Sequence, residues 1–496
     1  MKLLHKILPN FLHCFSIPVF FILHNYIDFA GLIDLGKISG LIIAWITAPA
    51  VLLFFYWLIL RDLSKSALLT SILLSVYFFA APFMKEIKAV PFLCYFSRYS
   101  IFLPLLFISL ILTHHFVHKT RKKIERAHLF LNVTILILLS YEIFQLSIYG
   151  FASLKERNAI VTQNNTVLNK IEIKEQIKPD IFFLIFDEHP STKSLHTLFN
   201  YNNNSLDSSL SKLDFRVSAG ATSAYHHTVA CIYSLLGLTE FSPKNSNELI
   251  LKQQYAINIK LAENRLVPFL QTNGYTFINA SMFDFKDNKS LVRKYIHWNS
   301  PEDMIQNQTI LRKVKQDIGW NFTSFYKKAF ITDFNRRIND EVIYTKRINQ
   351  LIDSSLTIDT IKPKFFYGHF FLPHDPFKFD EKGNTINWSY ESYKNQYHTT
   401  ATYLNQVKYA NKTIIELANK ILRNNKRPSI IIIQGDHGNR RFDLNKFPQD
   451  HKQKILSAIY FPDKDYSQIP DDLYSPNTFR IILNKYFQQQ IPLLKK

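Results

Sequence analysis

Cysteine is almost absent from this chain, with three residues in 496. Cys14 and Cys94 lie in or beside long apolar stretches, which leaves Cys231 as the one thiol of the polar remainder. A lone thiol forms neither an intrachain disulfide framework nor a thiolate metal site. Internal repeats of useful length and strong low-complexity blocks are also lacking. The net charge of +20 comes without any nucleic-acid recognition motif. A basic surface of that kind suits anionic lipid headgroups or phosphorylated glycans, and nucleic acid is not expected as a partner. Charge is missing altogether from Ile38 to Leu60, a run longer than the roughly 20 residues that cross a bilayer.

That run predicts a transmembrane helix. Four more apolar stretches surround it, at about Phe11 to Ile33, Ala67 to Met84, Ile101 to Val117 and His128 to Ala152. Together they predict a polytopic α-helical membrane domain of about five spans over residues 1–152. The first stretch has no small-residue cleavage site and is followed at once by further spans, which argues against a cleaved signal peptide. The most cationic short loop holds His118, Lys119, Arg121, Lys122, Lys123 and Arg126 and is expected on the cytoplasmic side, with Lys2, Lys6, Arg61 and Lys65. The opposite loops carry fewer basic groups: Lys37, Lys85, Lys88 and Arg98. Five alternating spans then place everything after about residue 153 outside the cytoplasmic (inner) membrane of a bacterial cell. Residues 153–179, polar and poor in aromatics, read as a juxtamembrane connector, helical in part at most. Residues 180–496 read as an exported catalytic domain.

In that domain apolar runs (Ile181 to Phe186, Tyr275 to Asn279, Phe365 to Phe371, Ile430 to Gln434, Ser457 to Phe461) alternate with helical patterns at Glu263 to Asn273 and Ala401 to Asn424. The alternation predicts an α/β domain with a largely parallel central sheet. Two of the runs stop on acid and imidazole: Asp187, Glu188 and His189 follow the first, and Gly435, Asp436, His437 and Gly438 follow the fourth. Ligands of parallel sheets sit beyond the carboxyl ends of strands, so Asp187, Glu188, Asp436 and His437 should meet at one edge. Carboxylates with imidazole and almost no thiol suit a divalent metal such as zinc or manganese.

A third segment, from Ser223 to Gly237, runs from small and hydroxyl residues into a helix opening near Thr228. A hydroxyl at a helix N-terminus sits in positive potential beside free N–H groups, the place of a nucleophile; the alternative is that Thr228 simply caps the helix. Asp187 or Glu188 has an equally plain alternative as a helix cap. Asp436-His437-Gly438 has one as a strand-to-loop turn. Nothing in the spacing of His226, His227 and His451 demands a ligand.

Taken together, these segments resemble the alkaline phosphatase superfamily, in particular its membrane-anchored sulfatase-like branch of phosphoethanolamine transferases and lipoteichoic-acid-type phosphoglycerol transferases. The resemblance covers about Pro179 to Pro462. It implies that Asp187 or Glu188, Thr228, Asp436 and His437 bind the metal, with Asp187 favoured, and that Thr228 is the nucleophile. Phe365 to Phe377, containing His369 and His374, is similar to the family's His…Pro-His-x-Pro-Phe substrate loop, which implies that His374 and His369 bind substrate and assist catalysis. A sulfatase proper needs a Cys-x-Pro-Ser-Arg motif; Cys231-Ile232-Tyr233-Ser234-Leu235 lacks its Pro and Arg.

The implied activity is transfer of a phosphoethanolamine- or phosphoglycerol-type group from a membrane phospholipid donor to an envelope lipid or glycan acceptor through a Thr-linked intermediate. Two other readings stand beside it: a phosphodiesterase or sulfatase-like hydrolase with water as acceptor, and a catalytically silent envelope-assembly protein.

Overall fold

The computed structural model describes residues 11–27, 36, 39–120, 124–162, 168, 178–240, 251–296, 301–318, 324–357, 362–440 and 449–496. The chain divides into two compact units, one of Met1–Gln163 with Trp298–Lys327, the other of Asn164–His297 with Lys328–Lys496.

The first unit is helical. Four of its helices are long and apolar enough to cross a membrane: α2 (Ser39–Leu60), α3 (Leu63–Ala89), α4 (Tyr99–Lys119) and α5 (Glu125–Thr162), the last over its part Glu125–Ile148. The first expected span appears as the shorter α1 (Leu12–Ile27), and the rest of it, to residue 33, lies outside the described residues. Large apolar side chains such as Ile43, Phe55 and Ile59 stand exposed on α2, as lipid-facing groups do. The helix α5 continues to Thr162, into the stretch expected as connector. Buried within the unit, His13 hydrogen-bonds His128 (2.8 Å) and Ser71 (2.5 Å), and His128 also bonds Ser64 (2.7 Å), so these intramembrane polar groups are mutually satisfied.

The segment after residue 297 departs from a simple division of the chain. The helix α7 (Ile310–Asp317; α6 is described below) groups with the spans, and Ile310 is buried with Ala80, Ala81, Met84 and Phe102.

The second unit is built on β1 (Asp180–Phe186), β2 (Arg216–Val217), β3 (Thr276–Ala280), β4 (Lys364–Phe370), β5 (Ser429–Gln434) and β6 (Ser457–Tyr460). They form one sheet in the order β2-β6-β5-β1-β4-β3, in which β3, β4, β1 and β5 are parallel and β6 alone is reversed, pairing antiparallel with both β5 and β2. All seven residues of β1 are buried, as an unbroken apolar run requires when both faces are covered. Phe183 packs edge-on against Phe479, and Phe186 stacks on Phe370 at 4.9 Å. Asp180 enters the sheet at the start of β1 and holds Lys364, the first residue of β4, by its backbone N–H (2.8 Å) and its ammonium (3.2 Å).

The two helices expected in this unit appear with small shifts. The helix expected from Glu263 starts instead at Leu266, because the Asn264 side chain accepts the Val267 N–H (3.0 Å) and resets the chain there. Gly274 follows it with φ +91°, the left-handed geometry of a helix C-terminus. Thr400–Asn424 is helical, as its periodicity indicates.

Candidate metal and nucleophile site

The register of three neighbouring strands creates the site. Phe186 of β1 lies opposite Phe370 of β4, and Ile185 lies opposite Gln434 of β5. The next residues of each strand therefore leave the sheet side by side. Beyond the ladder the Asp187 N–H donates to the Phe370 carbonyl (2.9 Å), and the His374 N–H donates to the Asp187 carbonyl (3.2 Å). The loop after β5 comes equally close. A Cβ on Gly435 would fall 2.3 Å from the His189 carbonyl oxygen, so only glycine fits between the strand end and the Asp436 turn.

Thr228 arrives from the other direction, as the first residue of α6 (Thr228–Leu236). The N-cap is His227, which makes no side-chain capping bond. Thr228 is therefore not the cap, and it stands at the positive end of the helix, where the Ala230 N–H turns back to the His227 carbonyl (3.1 Å). Its Oγ1 lies 3.3 Å from His437 Nε2. Nδ1 of that imidazole donates to the Gly438 carbonyl (2.8 Å), which leaves Nε2 as the unprotonated nitrogen. The same Nε2 is 3.5 Å from Asp187 Oδ1 and 3.4 Å from Asp436 Oδ2. Asp187, Asp436 and His437 present ligand atoms all within 4.8 Å of one another.

The outer oxygens of the two aspartates are occupied. Asp436 Oδ1 accepts the N–H groups of Glu188 (3.0 Å) and His437 (2.9 Å), and Asp187 Oδ2 faces His369 Nε2 at 3.3 Å. The inner oxygens, Asp187 Oδ1 and Asp436 Oδ2, are buried and have no hydrogen-bond partner among the described residues. Burial, and then the charge of Asp187, push the Asp436 carboxyl upward. Burial acts the same way on Asp187, but His374, His369 and His437 outweigh it and hold that carboxyl well below its usual range. Burial, with Arg440 next, keeps His437 neutral. Two orphaned carboxylate oxygens, a neutral imidazole nitrogen and a part-buried hydroxyl converging on one spot are a donor set that a divalent cation fits.

Glu188 stands apart from this trio. It has φ 63°, and its Oε1 accepts the Arg440 N–H (2.6 Å). It groups instead with His374 and Asp375. His374 Nδ1 donates to the Asp375 carbonyl, and its ring is one-quarter exposed, at 25%. Burial alone would lower His374, yet Asp187, Glu188 and Asp375 push it up to about 9, so it is cationic at neutral pH.

His369 is placed differently from His374. It is fully buried on β4, with Nδ1 2.9 Å from the Tyr367 hydroxyl and Nε2 on Asp187, while its carbonyl accepts from Tyr344 (2.7 Å). It touches Asp187, and its side chain is closed off from solvent. Cys231 is likewise fully buried, its thiol bonded to the Tyr225 carbonyl (3.1 Å) and pushed far up by burial. Of the other histidines, His451 is bound to Ser194 (2.7 Å), and the His226 carbonyl accepts from Arg440 (2.9 Å).

Sequence reasoning missed Arg440, Tyr367 and Tyr344. The first lies three residues after His437, and Tyr367 shares the His369 face of β4 by two-residue alternation, so both were within reach of the pattern. Tyr344 comes from the distant helix α8 (Ser324–Thr357), and no local signal marks it.

The family model for Sulfatase matches residues 210–465, just over half of the 496-residue chain. The chain belongs to the sulfatase family of the alkaline phosphatase superfamily, a family of metal-dependent enzymes, and is a sulfatase-like enzyme. Among solved structures it is similar to the soluble domain of lipooligosaccharide phosphoethanolamine transferase A from Neisseria meningitidis (11% identity, 65% of this chain and 92% of that chain, TM-score 0.40). The integral membrane form of that transferase also matches (13% identity, 93% of this chain and 89% of that chain, TM-score 0.36). So does the C-terminal periplasmic domain of EcEptC from Escherichia coli in complex with Zn (10% identity, 62% of this chain and 82% of that chain, TM-score 0.38). A search of curated proteins returned no match.

Proposed function

We propose that the chain is a membrane-bound transferase that moves a phosphoethanolamine- or phosphoglycerol-type group from a phospholipid donor to an envelope lipid or glycan. The observation that carries this reading is the convergence of Thr228 Oγ1 on His437 Nε2 beside the orphaned oxygens of Asp187 and Asp436. Asp187, Asp436 and His437, with the Thr228 oxygen, would hold zinc or manganese. When bound, such a cation lowers the pKa of a coordinated hydroxyl and offsets charge on phosphoryl oxygens.

The chain's own residues supply the rest. Thr228, losing its proton to solvent, attacks the phosphorus of a phosphodiester, and the P–O bond to the donor alcohol breaks. His374, protonated at neutral pH, steadies the non-bridging oxygens and gives the leaving alkoxide its proton. His369 acts on Asp187 and not on substrate, holding the carboxylate in orientation while Tyr367 holds the imidazole. An acceptor hydroxyl, giving its proton to the now neutral His374, then attacks the phosphorus, the P–Oγ1 bond breaks, and the freed Thr228 alkoxide takes up a proton from solvent.

The proposed setting is the bacterial cytoplasmic membrane, with the α/β domain outside. The donor headgroup then lies in the plane to which the enzyme is confined, which raises its effective concentration.

Mass spectrometry of the intact protein purified from cells tests the reading. A phosphoethanolamine or phosphoglycerol adduct on Thr228 is expected, discharged on adding acceptor. A protein that turns over donor without any adduct on Thr228 would overturn the mechanism.

A further inference from the structure

One end of the membrane-spanning unit exposes aromatic rings and cations together. Its connection from α3 to α4 carries exposed Phe92 (79% exposed), Tyr95 and Phe96, and the Arg98 guanidinium lies over the Tyr95 ring at 4.6 Å. Against the flanking ends of α3 and α4 docks α7, a segment more than 190 residues away in sequence. The contact is specific: Ile310 is buried among Ala80, Ala81, Met84 and Phe102 with Val314 packed on the same cluster, and the Tyr99 hydroxyl donates to Asp317 (2.7 Å). Ile310 and Val314 use the inward face of α7. The neighbouring face carries Leu311, 64% exposed, with exposed Arg312 and Lys315.

Composition at this end is one-sided. Lys85 to Arg98 and Ile310 to Asp317 together hold six basic residues (Lys85, Lys88, Arg98, Arg312, Lys313, Lys315) and two acidic ones (Glu86, Asp317). Asp317 is already engaged by Tyr99 and by Lys313 at 3.4 Å. Aromatic rings, apolar side chains and cations side by side at the end of apolar spans are the composition of a membrane interface, where rings sit at headgroup depth and cations meet lipid phosphates.

We infer that α7 and the α3–α4 connection form a binding surface for anionic glycerophospholipid headgroups at the membrane interface. Leu311 and the aromatic rings enter the headgroup boundary, and Arg312, Lys315, Lys85 and Lys88 contact the phosphates. The excess of positive charge selects an anionic lipid over a zwitterionic one. The inference rests on the membrane-spanning reading of α2 to α5 and not on the transferase reading, so inactivity of the enzyme would leave it standing.

The test uses the full chain in phospholipid nanodiscs, with exposed Cys94 replaced by Ser and Leu311→Cys carrying an environment-sensitive dye. Brominated phosphatidylglycerol should quench the dye more strongly than brominated phosphatidylcholine. The preference should fall about fivefold for each cation removed in Lys315→Gln and Arg312→Gln, with the helical circular dichroism unchanged. No quenching by either lipid would overturn the interfacial placement. Equal quenching by both lipids, unaltered in the charge variants, would overturn headgroup recognition. Loss of the preference on adding inorganic phosphate would assign the surface to a soluble anion and overturn the lipid assignment.

Discussion

Asp187 and Asp436 are buried so closely that the charge of one disfavours ionisation of the other, a cost that a cation held by both would offset, and this decides what their replacement should do. Asp436→Asn and His437→Ala should each abolish turnover and empty the site of metal, as elemental analysis of the purified variants would show, while membrane insertion is unaffected. Turnover and metal content at wild-type levels would sink the assignment. Thr228→Ala should be inactive yet still bind metal through the remaining ligands, whereas Cys231→Ala, which removes a thiol sealed against the Tyr225 carbonyl, should keep most of its activity. His369→Phe belongs with the positioning residues. It should weaken metal affinity about 10–100-fold, restored in part by excess metal, where loss of a substrate contact would raise KM at constant metal content. The acids, the imidazole and the threonine were legible because each closes or opens a local pattern. The division between Asp187 and Glu188 was not. It depends on the left-handed turn at Glu188 and on its bond from the Arg440 N–H, neither of which leaves a mark in composition.

At the scale of elements, strand ends do opposite jobs. The carboxyl ends of β1, β4 and β5 carry the candidate chemistry, and their amino ends carry a buried ion pair that fastens the strands. Asp180 holds Lys364 there, and Lys364 also donates to the Ser355 carbonyl (2.6 Å). Asp180→Ala leaves a buried ammonium without its carboxylate, so chemical denaturation should show a loss of about 3–5 kcal/mol with metal affinity unchanged in the folded fraction. Equal stability would mean that the pair contributes nothing net. Strand positions followed from apolar runs because burial on both faces removes alternation. Direction did not, since β6 reads like its parallel neighbours and turns antiparallel only through pairing with β5. The two-residue β2 is too short for any pattern. Gly435 drew no reading from sequence and is explained by the His189 carbonyl that passes where a side chain would stand.

For the molecule as a whole, the number of crossings decides which segments share a side of the membrane. If α3, α4 and α5 each cross a membrane once, the α3–α4 connection and the chain leaving α5 fall on the same side of it. The contact of Ile310 and Asp317 with Met84 and Tyr99 joins two segments that this count places together. That supports the reading of α4 and α5 as single crossings, and it would fail if either helix lay along the surface. The apolar lengths made the spans legible in sequence, whereas the return of α7 to them was invisible because its pairing is more than 190 residues long in range. Which side is outside follows from the basic loop between α4 and α5, and it can be tested with a membrane-impermeant thiol reagent. In a chain with Cys94 replaced by Ser, Cys14 and Cys231 are buried and silent. A cysteine introduced at Asn204 should then label in cells whose outer barrier is permeabilised, and one at Lys119 should label only after lysis. Labelling at Lys119 alone in intact cells would reverse the orientation. The site would then face the cytoplasm, and the proposed transfer to an envelope acceptor would have to be abandoned.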